Sequence, residues 1–259
     1  MTQLALLMSL ASMPSLYEAW TPDEAFAAGV QSRADATVSR RHFDYAAGGF
    51  DWLWAIGDHS LRIAVQRGRS HFLAGDVPRA VVAFRAGLLD TPYDAELLGG
   101  LAECRAAIPY PTAASDDERL RPDPPSGWRN RVSEWDVFRF AVIAVSLVVV
   151  GLSRRLTARD GWAIPVTVLG GGGVLACAVV GWTLNAEAAA ERRTPALVVT
   201  ADDTILRTGN GFTYPLRIAA TVPRGTEVVE RARRGGWVQV EVAGGAVGWL
   251  PESAVRLVE

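Results

Sequence analysis

Two long apolar stretches divide the chain into unlike parts. One covers residues 135–152 and the other residues 162–184, and the second contains no charged residue. At about 1.5 Å per residue, helices of these lengths extend roughly 27 to 35 Å, which matches a bilayer core of about 30 Å. Residues 135–184 are therefore predicted to form a transmembrane helical hairpin. Tryptophans, which favour the membrane interface, lie at or near the ends of both stretches: Trp135, Trp162 and Trp182.

The connection between the two stretches is rich in arginine. Arg154, Arg155 and Arg159 lie in or beside it, and arginine favours the cytoplasmic side of a membrane. We therefore expect a cytoplasmic connection and extracytoplasmic outer domains. Arginines at 129, 131, 192 and 193 flank the other ends, so the opposite orientation stays open. Two spans in either orientation place the outer domains in the same compartment.

The polar and apolar pattern before the hairpin is helical. A helix is predicted to begin after Thr21, which has the side chain of an N-cap residue. Pro22 follows in the first turn, and Glu24 supplies the acidic residue at the third helical position. We expect this helix to reach about Thr37. A second helix is predicted around residues 40–47, ending at the following glycine pair. The aromatic segment 50–56 is expected to fill the core rather than bind a ligand.

Residues 67–108 contain three helical segments separated by turn signals, and they resemble a tetratricopeptide repeat. The resemblance implies structural roles: close helix contact at the small residues, a turn, packing between repeats, and helix termination. The matching residues are Gly68, Gly75, Ala80, Phe84 and Pro92. Arg67, where a leucine is usual, and Gly87, where an alanine is usual, depart from the pattern. Residues 21–108 are thus predicted to form two repeats, capped by a helix over 95–107.

Two further segments flank these helices. Residues 109–134 are rich in proline and acidic residues, which predicts an extended linker to the membrane. Within it, the PxxP at 122–125 is interpreted as spacer rather than as a ligand for an SH3 groove. Residues 1–20 contain a short apolar run that fits a cleaved signal peptide, an uncleaved anchor, a truncated remnant of a longer start or a surface-packed first helix, and these interpretations stay open.

The pattern changes to a period of two after residue 195. Val238, Val240 and Val242 alternate with polar residues, as in a strand buried on one face. Several such strands separated by glycine turns predict a small β-barrel over 195–259. The motifs resemble those of a bacterial SH3 domain, namely Val199-Thr200-Ala201, Arg207-Thr208-Gly209, Gly235-Gly236-Trp237 and Gly248-Trp249-Leu250. This resemblance implies either core packing or a ligand patch for the aromatic residues Tyr214, Trp237 and Trp249.

The composition mainly excludes certain partners, metal sites and kinds of catalysis. The net charge is −2 and all 26 basic residues are arginines scattered along the chain, so nucleic acid is not an expected partner. Cys104 and Cys177 lie in unlike segments, and the three histidines have no metal-site spacing. We find no catalytic motif among GxSxG, Walker A and HExxH. The sequence therefore predicts a protein that is not an enzyme and holds no metal or cofactor.

The order of the segments resembles the BatE-type proteins of bacterial aerotolerance operons. The predicted fold class is multi-domain α plus β: tetratricopeptide-like helical repeats, two transmembrane helices and a C-terminal SH3-like β-barrel. The resemblance implies a scaffold in the bacterial cytoplasmic membrane, in contact with the lipid bilayer. Its implied partners are von Willebrand A-domain membrane proteins and, indirectly, a MoxR-type ATPase. A peptidoglycan-binding envelope protein is the alternative function.

Overall fold

The computed structural model describes residues 20–122, 134–157, 161–193 and 196–258. Five helices come first, then two long apolar helices, then a five-stranded sheet. The helices are α1 (Pro22–Gln31), α2 (Ala36–Ala55), α3 (Leu61–Ala74), α4 (Val77–Asp90), α5 (Ala95–Ala107), α6 (Glu134–Thr157) and α7 (Ala163–Arg193). The strands are β1 (Ala196–Val199), β2 (Glu227–Arg234), β3 (Trp237–Glu241), β4 (Val247–Pro251) and β5 (Val255–Leu257). The first 19 residues, with the apolar run in them, lie outside the described ranges.

The first two helices differ from the predicted bounds. Helix α1 begins with the expected capping box at Thr21, but it ends at Gln31 rather than near Thr37. The Ser32 hydroxyl donates to carbonyl oxygens of the last turn, and Asp35 caps α2. The predicted stop after residue 47 is wrong, because α2 continues to Ala55. Gly49 instead permits close packing, since a Cβ there would lie 3.0 Å from Pro22 Cβ.

Helices α3 to α5 and the turns between them contain the residues that the repeat resemblance indicated. Phe84 is 2% exposed and lies where a Cβ on Gly68 or on Gly100 would meet its ring at 2.5 Å. Gly75 ends α3 with a positive φ of 91°, a conformation that glycine adopts without a steric penalty. Pro92 follows Thr91, the C-cap residue of α4. The five predicted structural residues therefore occupy core, turn and helix-end positions, and Ala80 is fully buried.

Helices α6 and α7 are long and apolar enough to cross a membrane, by length and composition. They pack against each other at small residues. A Cβ on Gly170 would lie 2.8 Å from the Ala144 carbonyl oxygen, and one on Gly173 would lie 3.0 Å from Ala144 Cβ. Trp162 and Trp182 are exposed. Helix α7 continues beyond the apolar stretch to Arg193, through alanine and glutamate residues that favour helix.

The C-terminal strands form an antiparallel sheet in the order β4-β3-β2-β1-β5. Within the described residues this sheet is open, with β4 and β5 at its edges. The alternation in β3 is as predicted, because Val238 and Val240 are buried while Gln239 is half-buried. Gly235 and Gly236, both at positive φ, form the two-residue turn between β2 and β3.

The first half of the predicted linker packs against the sheet. Residues 116–118 form a short 3-10 helix, and Leu120, 2% exposed, belongs to the core of the sheet. The N–H of Ala246 donates to the Asp117 carbonyl oxygen at 2.9 Å, and that of Gly244 donates to the Arg119 carbonyl oxygen at 2.7 Å. Residues 109–122 thus form a strap on the sheet. Most of the PxxP lies outside the described residues.

A buried ion-pair group joins the helices to the sheet. Glu227, at the start of β2, is 8% exposed and binds Arg85 of α4 and Arg105 of α5. Burial would raise the pKa of Glu227, but the two guanidinium groups outweigh it and lower that pKa. Val198 of β1 also lies in the helical core. The helices and the sheet are therefore docked through both apolar and charged contacts.

Candidate functional site

An open cleft lies where α2 and α3 meet the edge strand β5. Its volume is about 490 Å³. We call it the interdomain cleft. Its lining residues are Asp51, Trp54, Ala55, His59, Arg67, Val82, Arg256 and Leu257. Since the helices and β5 are far apart in sequence, this cleft exists only through the docking of the two domains.

Asp51 organises the floor of the interdomain cleft. Its carboxylate accepts a hydrogen bond from Arg67 Nε at 2.5 Å, and its other oxygen lies 3.1 Å from His71 Nε2. Burial raises the pKa of this carboxyl, but the hydrogen bonds from His71 and Arg67 outweigh it and bring the pKa to about 2. Asp51 is therefore ionised near neutral pH and holds both side chains in place.

Arg67 is oriented from two sides. Besides its bond to Asp51, its guanidinium lies over the ring of Trp54, 5.2 Å from the centroid. The same ring stacks on His59 with a centroid distance of 4.3 Å. Among the described residues, Nη1 of Arg67 has no hydrogen-bond partner. The departure from the repeat pattern at this position is thus a buried cation that faces a cleft.

A second concave surface, the helical groove, is lined by residues of α1, α3, α4 and α5 and by Arg33, which follows α1. It has a volume of about 330 Å³. Phe26, Phe72 and Phe84 give it an apolar floor, and Arg33, Arg69 and Glu103 supply charge at its edges. Arg69 also pairs with Glu96 at 2.7 Å. Such a groove suits an extended or helical segment of another protein.

The predicted ligand residues of the sheet are only partly accessible. Trp237 is 8% exposed, Trp249 is half-buried, and Tyr214 is 47% exposed. Phe212, which the sequence motifs did not indicate, is 73% exposed and stands edge-on to Trp237 at 4.8 Å. These four residues form what we call the aromatic patch.

Arg207 connects the members of the aromatic patch. Its Nη1 donates to the Tyr214 carbonyl oxygen at 2.7 Å, and its guanidinium lies 5.9 Å from the Phe212 ring centroid. Its backbone exchanges two hydrogen bonds with Trp249. Gly209 is required beside it, because a Cβ there would lie 2.5 Å from the Tyr214 ring. The predicted Arg-x-Gly turn therefore positions the exposed aromatic residues.

Sequence motifs alone did not indicate the cleft residues. Asp51 and Trp54 fall in the segment that we expected only to fill the core, and Arg67 was visible solely as a departure from the repeat. No group of three or more histidine, cysteine, aspartate or glutamate side chains in the described ranges is arranged to hold a metal ion. Cys104 is buried, and that burial raises the pKa of its thiol to about 12.

Comparison with known proteins gives no match at any level. No protein-family model, curated protein or solved structure matches the chain. Function must therefore be argued from the described surfaces.

Proposed function

We propose that this protein is a non-enzymatic scaffold of the bacterial cytoplasmic membrane, which holds partner proteins on docked tetratricopeptide-like and SH3-like domains. The observation that carries this proposal is the binding of Glu227 by Arg85 and Arg105. It docks two surfaces of different chemistry, the helical groove and the aromatic patch, into one unit. The two apolar helices would hold that unit at the bilayer.

The partners follow from the resemblance to BatE-type proteins. We propose that the helical groove takes a segment of a von Willebrand A-domain membrane protein, with a MoxR-type ATPase linked indirectly. Phe72 lies on α3 within the groove, and Arg33, Arg69 and Glu103 give its edges charges of both signs. This arrangement favours an amphipathic segment with charged residues beside its apolar face.

Photo-crosslinking in the bacterial host tests this pairing. A photoreactive amino acid at position 72 of the full-length protein should form an adduct with a von Willebrand A-domain protein, identified by mass spectrometry. The same amino acid at Arg234, an exposed position on β2, is the matched control. Adducts from both positions in equal yield, or from neither, would refute the proposed use of the groove.

Membrane orientation needs a separate test. We propose that both outer domains are extracytoplasmic, with the connection between the spans in the cytoplasm. Alkaline phosphatase or green fluorescent protein is fused after the last residue of the chain. An active phosphatase fusion and a dark fluorescent fusion are expected. The reverse result would place the domains in the cytoplasm and remove the envelope partners.

A second function, peptidoglycan binding, is favoured by the exposure of Phe212 beside Trp237. Exposed aromatic rings stack on the apolar faces of sugars and peptides. If this function is correct, the full-length protein in micelles binds purified cell wall, and Phe212→Ala weakens binding about tenfold. Trp52→Ala, which removes an exposed aromatic residue from α2, should change nothing. Cell-wall binding that persists in Phe212→Ala would exclude the aromatic patch as the binding surface.

A further inference from the structure

The interdomain cleft contains a buried donor that the described protein leaves unused. Arg67 is 9% exposed, and its Nη1 has no hydrogen-bond partner among the described residues. Its Nε is already bound to Asp51. A buried charged N–H without an acceptor is unfavourable. Nη1 itself is shielded from solvent, so a ligand would meet the guanidinium from the side of the Arg67 side chain that lines the cleft.

The charge around this donor is positive. Arg256 of β5 lines the same cleft, is exposed, and forms no ion pair within the described ranges. Asp51, the acidic lining residue, has one oxygen bound to Arg67 and the other to His71. Two guanidinium groups thus face a cleft whose carboxylate is already engaged. This arrangement selects an anionic acceptor over a neutral one.

The remaining walls are apolar. Trp54 is held between Arg67 and the ring of His59, and Val82 and Leu257 complete the lining. A volume of about 490 Å³ suits a small organic molecule, for which pockets of roughly 300–1,000 Å³ are typical. A planar carboxylate matches the fork of an arginine, and an apolar body matches the other walls.

We propose that the interdomain cleft binds a small organic carboxylate, whose oxygens bind the guanidinium groups of Arg67 and Arg256 and whose apolar body packs against Trp54. This site is separate from the helical groove and the aromatic patch, so it does not depend on the scaffold role. It also accounts for an arginine at a repeat position where a leucine is usual, because a leucine would offer neither charge nor hydrogen bond.

Ligand-observed fluorine NMR tests the site with the full-length protein in phospholipid nanodiscs. The probe is 4-fluorobenzoate, and 4-fluorobenzamide is its neutral isostere. Saturable line broadening of the benzoate, with none of the benzamide, is the expected result. No saturable broadening of the benzoate, or equal broadening of both probes, would overturn the proposal.

Three substitutions locate the binding. Arg67→Met and Arg256→Gln should each weaken 4-fluorobenzoate binding at least tenfold, whereas Arg234→Gln, an exposed arginine of the same sheet outside the cleft, should leave it within twofold. Circular dichroism checks that each variant folds. If Arg67→Met does not fold, the exposed Arg256→Gln decides the outcome. Unchanged binding in Arg256→Gln would place the probe elsewhere and refute the site.

Competition distinguishes the source of the carboxylate. The tripeptide Gly-Gly-Phe with a free C-terminus is compared with its C-terminal amide as a competitor of 4-fluorobenzoate. If only the peptide with a free C-terminus displaces 4-fluorobenzoate, the ligands of the site include peptide C-termini. If neither peptide displaces it, the ligands are small organic acids. Equal displacement by both peptides would contradict recognition of a carboxylate.

Discussion

Glu227 Oε2 accepts a hydrogen bond from Arg105 Nε at 2.6 Å, across a sequence separation of 122 residues. Arg85 binds the other carboxylate oxygen of Glu227. The carboxylate and both guanidinium groups are therefore removed from water together. Their mutual attraction offsets that desolvation only while all three are present.

Glu227→Ala should separate the helical domain from the sheet. The substitution removes the carboxylate that both arginines bind, and removal of one member of a buried ion-pair group costs about 3–5 kcal/mol. Urea unfolding of the full-length variant in micelles is followed by circular dichroism. It should show two transitions, at lower urea concentrations than unfolding of the wild type. Glu252→Ala, which removes an exposed partner of Arg233, should cost at most about 1 kcal/mol. A shift for Glu227→Ala no larger than this would contradict a role in docking.

The turns and helix bounds that were predicted correctly are those that depend on residues close together in sequence. The α3–α4 turn was predicted because Gly75 takes a left-handed conformation that its own residue type favours. Helix α5 has the predicted bounds 95–107, and Asp94 caps its first turn locally. The stop after residue 47 was wrong because Gly49 is needed for contact with Pro22 of another helix, and a local pattern does not contain that contact.

The docking and the cleft were not predictable for the same reason. Glu227 is the first residue of β2, a strand rich in charged residues, and nothing near it in sequence indicates two arginines of the helical domain. Leu120 lies in a proline-rich segment that resembles a free spacer, yet it fills the core of the sheet. Long-range burial of single residues leaves no periodic signal.

Two adjacent glycines of α5 should respond oppositely to alanine. A Cβ on Gly100 would overlap the Phe84 ring, whereas a Cβ on Gly99 would have no atom within 4 Å. Gly100→Ala should therefore destabilise by about 1–3 kcal/mol through overpacking. Gly99→Ala should stabilise by about 0.5–1 kcal/mol through helix propensity. Thermal unfolding of both variants measures the difference, and equal changes would contradict the packing of Phe84 against Gly100.

The strap should detach when Gly244 gains a side chain. A Cβ at this position would overlap the Asp116 carbonyl oxygen and lie 2.6 Å from that of Asp117. Gly244→Ala therefore has to displace the 3-10 helix and weaken its hydrogen bonds to the sheet. Trypsin should cleave after Arg119 about tenfold faster in this variant, as followed by mass spectrometry.

Gly211→Ala is the control for the strap. A Cβ at Gly211 would make ordinary contacts with the Tyr214 ring at 3.4 Å, and the backbone hydrogen bonds of Gly211 are to Gly209 and Tyr214 rather than to the strap. Trypsin should cleave the Gly211→Ala variant after Arg119 at the same rate as the wild type. Rapid cleavage in the wild type itself would show that the strap is not held on the sheet in solution.

Asp51 should make stability depend on acid pH. Its pKa is about 2 in the folded protein, below the ordinary value of 3.8, so its contribution is fully present above about pH 4 and is lost as the pH falls toward 2. Asp51→Asn should therefore lower the free energy of unfolding by about 1–2 kcal/mol at pH 7. The difference from the wild type should shrink as the pH falls through that window. Asp44→Asn, an exposed substitution on the same helix, is the matched control. The free energies of unfolding are measured by urea unfolding in a nonionic detergent between pH 7 and pH 2. If the difference between Asp51→Asn and the wild type does not depend on pH, Asp51 is not the ionised partner of Arg67 and His71.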